Sequence, residues 1–182
     1  MNLIIRKKTL LIIVIVLVIV LGAAWFWLLN PANQGYVGFN MRPVWDVADN
    51  IKNGSENRIF AGEMNKVGYY TFLHGKGPFT VFVPTDKAYS NLPVDDQDIL
   101  GTDEGSLRQV LLYNVVKGKY RAEDLKDGMT LHTVQGQDIS VARKGNNIIL
   151  NGYSYIETTD VNSSNGVIHM TTNYLIPPNM MQ

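Results

Sequence analysis

Thr85 and Asp86 stand where enzymes often place a nucleophile or a metal ligand, directly after a strand. The preceding run FTVFV (79–83) is rich in β-branched and aromatic residues and predicts a buried strand, which Pro84 ends. The hydroxyl of Thr85 or the carboxylate of Asp86 can also cap a short helix that starts here, by accepting a backbone hydrogen bond. No cluster of His, Cys or Lys is spaced to act as a base beside them. We therefore interpret the pair as a helix cap and predict no catalytic residue.

The other reactive residues give little support for metal or thiol chemistry. The chain has no cysteine, so disulfides, thiolate catalysis and Cys-ligated metal sites are excluded. The three histidines, His74, His132 and His169, lie far apart without the short spacing of metal ligands. His169 lies in the predicted strand GVIHMT (166–171), where a structural histidine with satisfied ring nitrogens is the favoured interpretation. We predict no metal and no cofactor.

Asn114 is a polar residue in an apolar helical pattern. The segment SLRQVLLYNVVKGKY (106–120) predicts a helix that starts at an N-cap Ser106 and ends at Gly118. Helical spacing puts Asn114 on the same face as Leu107, Val110 and Leu111. A buried amide without partners costs about 1–3 kcal/mol, so we expect its side chain to hydrogen-bond to a neighbouring backbone segment.

The secondary structure predicted around these residues changes from mainly helices in the first part of the domain to strands after Gly128. Segments 42–54 and 55–68 have the apolar spacing of helices, and each can end at a glycine. From Gly128 onward the apolar residues alternate, which predicts the short strands MTLHTV, QDISVAR, NIILNG, YSYIETTDV and GVIHMT. Asn165 and Gly166 form a strong turn signal before the last strand. Helices followed by a run of antiparallel strands indicate an α+β fold with a β-sandwich or a folded sheet.

An uncharged apolar run at residues 9–29 precedes these elements and predicts a transmembrane helix. Its 21 residues suffice for the bilayer core, which a helix of about 20 residues crosses. Three basic residues (6–8) lie before the run, and positive charge favours the cytoplasmic side. We therefore predict a cytoplasmic N-terminus (1–8), a signal anchor (9–29) and a linker (30–41), with the remainder extracellular or periplasmic. A cleaved signal peptide is the alternative, because GAA (22–24) offers small residues to a peptidase.

Charge is balanced over the whole chain but not beyond the apolar run. The 16 basic and 16 acidic residues give a formal net charge of zero. Three of the basic residues lie at 6–8, so the part after Leu29 carries 13 − 16 = −3. The basic residues of this part do not cluster into one face, so we predict no nucleic-acid binding.

Three segments occur in an order typical of one family: GPFTVFVPTDKAYSNLP (77–93), LLYNVVKGKYRAEDLKDGMTLHTVQGQDISV (111–141) and NGVIHMTTNYLIPP (165–178). Residues 42–178, which a short tail (179–182) follows, thus resemble a single fasciclin domain. The resemblance implies a wedge-shaped β-sandwich with helices packed on it. It also implies a role in cell adhesion or in binding surface and matrix partners, without catalytic activity.

Two positions within the resemblance concern function. The middle segment has Tyr113-Asn114 where the family usually has Tyr-His, and asparagine carries no charge near neutral pH. A pH-dependent role of that histidine is therefore not expected here, while its structural role is. Asp160-Val161 stands where matrix members of the family carry an Asp-Ile pair implicated in integrin recognition. The resemblance therefore implies that Asp160 and Val161 bind a partner, although the preceding Thr158-Thr159 differs from the motifs of those relatives; a turn-forming Asp160 is the alternative.

Two functions follow from the sequence. The first is a membrane-anchored, extracytoplasmic fasciclin-like domain that binds a surface protein or glycan in adhesion. The alternative is a carrier of a small apolar ligand, such as a lipid or pigment, at the cell envelope. An apolar pocket of roughly 300–1,000 Å³ would favour this alternative. A hydrolase would need histidine clustered with Asp or Glu, which the sequence does not offer.

Overall fold

The computed structural model describes residues 45–93, 97, 100–101 and 103–181. These residues belong to one compact unit, Val44–Gln182. Within this described part, no helix has the length and apolar character needed to cross a bilayer. The predicted N-terminus (1–8), anchor (9–29) and linker (30–41) lie outside the described residues.

Helices form where apolar spacing coincides with a suitable cap. They are α1 (Val47–Lys52), α2 (Arg58–Lys66), α3 (Tyr70–Leu73), α4 (Asp86–Ser90) and α5 (Glu104–Tyr113), with a final 3-10 turn at Pro178–Met180. The Oδ1 of Asp46 caps α1 by accepting from Asp49 N at 2.9 Å. Gly68 follows α2 with a φ of 71°, a conformation that glycine adopts without strain. The two predicted N-terminal helices are therefore confirmed in type, although both are shorter than predicted.

Helix α5 differs from its predicted bounds at both ends. Its N-cap is Asp103, whose Oδ1 accepts from Ser106 N at 2.9 Å, and not Ser106 itself. The helix ends at Tyr113 and not at Gly118, because the chain turns there into a strand, β2 (Val115–Lys117). The two valines of β2 extend the apolar spacing of the helix, but their β-branched side chains favour extended backbone.

In the described part of the chain, seven strands form one mixed sheet. The strands besides β2 are β1 (Phe79–Pro84), β3 (Thr130–His132), β4 (Asp138–Lys144), β5 (Asn147–Leu150), β6 (Ser154–Ser163) and β7 (Gly166–Thr171). Their order is β2-β1-β7-β6-β5-β4-β3, with β1 and β7 parallel and the other neighbours antiparallel. The predicted α+β class and the strands after Gly128 are confirmed. The pairs among these later strands are antiparallel as predicted, and the sheet is mixed because the earlier strand β1 pairs in parallel with the last strand, β7.

The two edge strands of this sheet meet. Val116 of β2 forms an antiparallel bridge to Thr133, and Val134 N donates to Val115 O at 2.7 Å. The predicted sandwich is therefore a single sheet that folds back until its edges touch.

Two apolar cores lie on opposite faces of the central strands. Along β1, Val81 and Val83 pack with the helices in one core, while Phe82 packs with residues of β3, β4 and β5 in the other. Every residue of β1 is buried, as expected for a strand covered on both faces. In β7, Ile168 belongs to the first core, and His169 stacks on Phe82 with 5.8 Å between ring centroids.

Candidate binding site at the bulge of strand β6

Strand β6 carries two extra residues opposite β7. Ile156 of β6 pairs with Thr171 of β7, and Ser163 pairs with Gly166. Between these two cross-strand pairs the register shifts twice, so β6 spans seven residues where β7 spans five. Asp160 lies in this bulge with a φ of 59°, which few residues other than glycine adopt. Bulges bend a strand and redirect its side chains, and they are frequent beside functional sites.

Asp160 is tied into the fold on both sides. Its Oδ1 accepts from Ala122 N at 3.0 Å, and its own backbone N donates to His169 Nδ1 at 3.3 Å. Val161 is half-buried and packs against the first core. Asp160 therefore has a structural role, because its hydrogen bonds stabilise the bulge. Partner binding by Asp160 and Val161 stays a prediction.

His169 is buried with both ring nitrogens engaged. Its Nε2 donates to Tyr120 O at 2.8 Å, while Nδ1 accepts from Asp160 N. Burial lowers the pKa of His169 and outweighs the opposing effects of the Tyr120 carbonyl and of the Asp160 carboxylate. The imidazole is therefore neutral near pH 7, and it connects β7 to the bulge and to the loop after β2.

A cleft opens between the bulge, helix α1 and the loop that joins α1 to α2. Its floor is apolar and consists of Val83, Val161, Ile168 and Met170, and its rim includes Asn50, Ser55, Glu56 and Thr158. We call this space the bulge cleft. It encloses about 210 Å³, which is below the range of roughly 300–1,000 Å³ typical of small-molecule pockets. An apolar floor with a polar rim suits a side chain of a partner better than a whole lipid or pigment.

The wall of the bulge cleft on the α1 side is fixed by Asn50. Its Nδ2 donates to Ser163 Oγ at 2.9 Å and lies 3.3 Å from Trp45 O. These bonds join α1 to the end of β6, so the cleft is largely preformed.

The corner after β1 is fully explained by hydrogen bonds within the fold. Thr85 Oγ1 accepts from Ala88 N at 3.4 Å and caps α4. Asp86 instead caps α2: its Oδ1 accepts from Ile59 N at 2.9 Å, and its Oδ2 lies 3.3 Å from Arg58 Nε. Sequence reasoning missed the contact with α2, because Ile59 lies on a separate helix far from Asp86 in sequence. Neither side chain contacts a general base in the described part of the chain.

Tyr113 and Asn114 connect α5 to distant strands. Tyr113 is fully buried; its hydroxyl donates to Asp138 O at 2.7 Å and accepts from Asn151 Nδ2 at 2.8 Å. Asn114 Nδ2 donates to Leu175 O at 2.9 Å, which is the backbone contact expected from its helical position. Its Oδ1 has no hydrogen-bond partner among the described residues, although Asn114 is fully buried. Both residues have structural tasks.

Asn165 joins three segments at the start of β7. Its Oδ1 accepts from Val47 N at 2.9 Å, and its Nδ2 donates to Leu73 O at 2.7 Å. A Cβ on the following Gly166 would collide with the Phe79 carbonyl. Gly166 is therefore required by the close approach of β1, and not by the turn conformation that the sequence suggested.

The structure brings His74 to Asp46 and Asp49, a cluster that the sequence spacing did not indicate. His74 Nδ1 lies 2.6 Å from Asp46 Oδ2, and potential ligand atoms of the three residues lie within 4.8 Å of one another. The Asp46 carboxylate already caps α1, and this helix end favours anions over cations. We assign no metal to this cluster.

One half-buried carboxyl group lies apart from the bulge cleft. Glu63 Oε2 on α2 accepts from Tyr174 OH at 2.8 Å, and burial raises the pKa of Glu63 to about 7. The same burial and the nearby Glu63 carboxylate raise the pKa of Tyr174. The pair connects α2 to the segment after β7.

Comparisons with known proteins agree with this fold. The structure superposes on a FAS1 domain pair from the insect cell adhesion molecule Fasciclin I with a TM-score of 0.65 at 17% identity. The match covers 77% of this chain and 53% of that chain. At this identity the likeness shows the fold alone.

Sequence relatives extend the comparison. Transforming growth factor-beta-induced protein ig-h3 of Sus scrofa is 32% identical over 110 residues, which cover 60% of this chain and 16% of that protein. Immunogenic protein MPB70 of Mycobacterium bovis is 28% identical over 159 residues, which cover 86% of this chain and 81% of that protein. The family model of the fasciclin domain matches residues 56–177. The chain therefore belongs to the fasciclin domain family.

Proposed function

We propose that this chain is a membrane-anchored fasciclin-domain protein that binds surface or matrix partners outside the cytoplasm, in adhesion, without catalysing a reaction. The observation that carries the proposal is the bulge cleft, a preformed apolar recess on the surface. Membership of the fasciclin domain family, whose relatives act in adhesion and matrix binding, supports it.

The chemistry of the described residues agrees with a binding role. Thr85 and Asp86 cap helices, and His169 is neutral and fully engaged. The carrier alternative predicts a larger apolar pocket than the bulge cleft. Native mass spectrometry of the purified full chain tests it, because a stoichiometric lipid or pigment would favour the carrier.

The anchor and the outward orientation rest on the apolar run 9–29 and the basic residues before it. The chain has no cysteine, so single cysteines can report topology without background. We expect a membrane-impermeant maleimide to label Lys144→Cys, an exposed position, in intact cells. Asn2→Cys should be labelled only after lysis. The reverse pattern, or release of the wild-type chain from membranes at high pH, would refute the anchored arrangement.

Partner binding is tested with the full chain in proteoliposomes that are mixed with intact cells of the source. We expect saturable adhesion that Thr158→Arg abolishes, because Thr158 is exposed and lies on the rim of the bulge cleft. Thr130→Arg, at an exposed position of β3, is the matched control and should adhere like the wild type. Asp160→Ala tests the predicted pair, with thermal melting measured beside it because Ala122 loses a bond. Equal adhesion of empty proteoliposomes would refute the proposal.

A further inference from the structure

A second cleft adjoins the bulge cleft and shares Ser55 and Glu56 with it. It encloses about 230 Å³, and its other charged lining residues are Arg58, Asp86, Lys87 and Glu157. We call it the corner cleft. Because the two clefts share a wall, one extended ligand can occupy both.

The charges of the corner cleft are unequal. Its lining has three carboxylates and two cations, which gives −3 + 2 = −1. Arg58 and Asp86 pair with each other at 3.3 Å. Glu56 and Glu157 are exposed, and neither takes part in the ion pairs found among the described residues. Two carboxylates outside those ion pairs thus stand beside an apolar recess, and of the two cations that line the corner cleft, Lys87 is likewise outside them.

The backbone next to these carboxylates is also open. Strand β5 pairs with β6 only at Ser154 and Tyr155. From Glu157 to Thr159 the side chains are exposed, and within the described residues no strand pairs with the outer edge of this stretch. An extended peptide can lie along such an edge, with its backbone giving affinity and its side chains giving specificity.

We propose that the two clefts together bind an extended segment of a partner protein in which an apolar side chain is adjacent to a lysine or arginine. The apolar side chain enters the bulge cleft, and the cation lies against Glu56 and Glu157. This inference rests on the proposed binding function and names the chemistry of its partner. The carboxylates disfavour the anionic headgroup of a lipid at the same place.

Peptide binding to the full chain in neutral-lipid nanodiscs tests the inference by fluorescence polarisation. Three labelled octapeptides differ only at their central pair: Leu-Lys, Leu-Glu and Ser-Lys. We expect the Leu-Lys peptide to bind about tenfold more tightly than either other peptide, and this advantage over Leu-Glu to shrink as salt rises. Equal affinity for Leu-Lys and Leu-Glu at low salt would overturn the inference.

Two variants with matched controls locate the site. The double variant Glu56→Gln, Glu157→Gln should lose the preference for Leu-Lys over Leu-Glu, whereas Glu123→Gln, another exposed carboxylate outside both clefts, should keep it. Ser55→Phe fills the shared wall and should weaken Leu-Lys binding about tenfold, while Ser140→Phe, at an exposed position of β4, should not. Unchanged binding by Ser55→Phe would overturn the proposal.

The remaining outcomes are also decisive. A dimer of the wild-type chain that Ser55→Phe dissolves would assign the clefts to a second copy and overturn the inference. Adhesion of proteoliposomes that survives in Ser55→Phe and in the double variant would overturn the inference and leave the proposed function intact. Failure of the wild-type chain to adhere would refute the proposed function itself.

Discussion

Glu63→Gln should change the pH dependence of stability in a direction that the structure fixes. Burial raises the pKa of the Glu63 carboxyl from 4.5 to about 7. Between these values the folded state binds more protons than the unfolded state, so stability falls as pH rises through this window. A shift of this size corresponds to about 3 kcal/mol, an upper limit because solvent partly reaches the side chain.

The assay is urea denaturation of the full chain at pH 4.5, 6 and 7.5, for the wild type and for Glu63→Gln. The amide of the variant cannot ionise, so its stability does not fall with the deprotonation of residue 63. The unfolding free energy of the variant minus that of the wild type should therefore increase by up to about 3 kcal/mol as pH rises from 4.5 to 7.5. His169 acts oppositely: its lowered pKa gives stability that is lost as pH falls below 6.5. Both proteins contain His169, so its contribution cancels in the difference between their unfolding free energies. A difference that does not vary with pH would refute the assignment to Glu63.

Three further substitutions test the structural roles. Asn114→Ala should cost about 1–3 kcal/mol by urea denaturation, because the buried Leu175 carbonyl loses its donor, and a smaller loss would contradict the role of that contact. Asp86→Ala should cost about 0.5–2 kcal/mol through the lost cap of α2, and unchanged stability would refute that cap. Gly166→Ala should prevent folding, as measured by circular dichroism, because the added Cβ would collide with the backbone of β1. Its control is Gly62→Ala in α2, where an added Cβ has free space, and this variant should be more stable than the wild type by up to about 1 kcal/mol. A folded Gly166→Ala protein would show that β1 can move away.

The strands after Gly128 could be predicted from sequence because each follows an alternating pattern and ends at a turn signal. The end of α5 could not, since the valines of β2 continue its apolar spacing, and pairing with β1 adds to their β-branched preference for extended backbone. Parallel pairing of β1 with β7 joins residues far apart in sequence, which local patterns do not record.

The candidate site was predictable only in part. The motif drew attention to Asp160 and Val161, and Val161 does line the bulge cleft. The cleft itself depends on two extra residues in β6 and on a loop about a hundred residues earlier. Alternation along β6 cannot show a bulge, because the register is set by the partner strand.

The position of β1 between β2 and β7 sets a time order on folding. Every side chain of β1 is buried in the native state, yet its parallel neighbour β7 is the last strand of the chain to be made. Until Gly166–Thr171 is available, β1 has one open backbone edge, and Ile168 and His169 are missing from the packing on its two faces. A chain that stops before β7 should therefore stay unfolded and prone to aggregate. In the arrangement proposed above, this order would keep β1 from completing its sheet until β7 has also crossed the membrane.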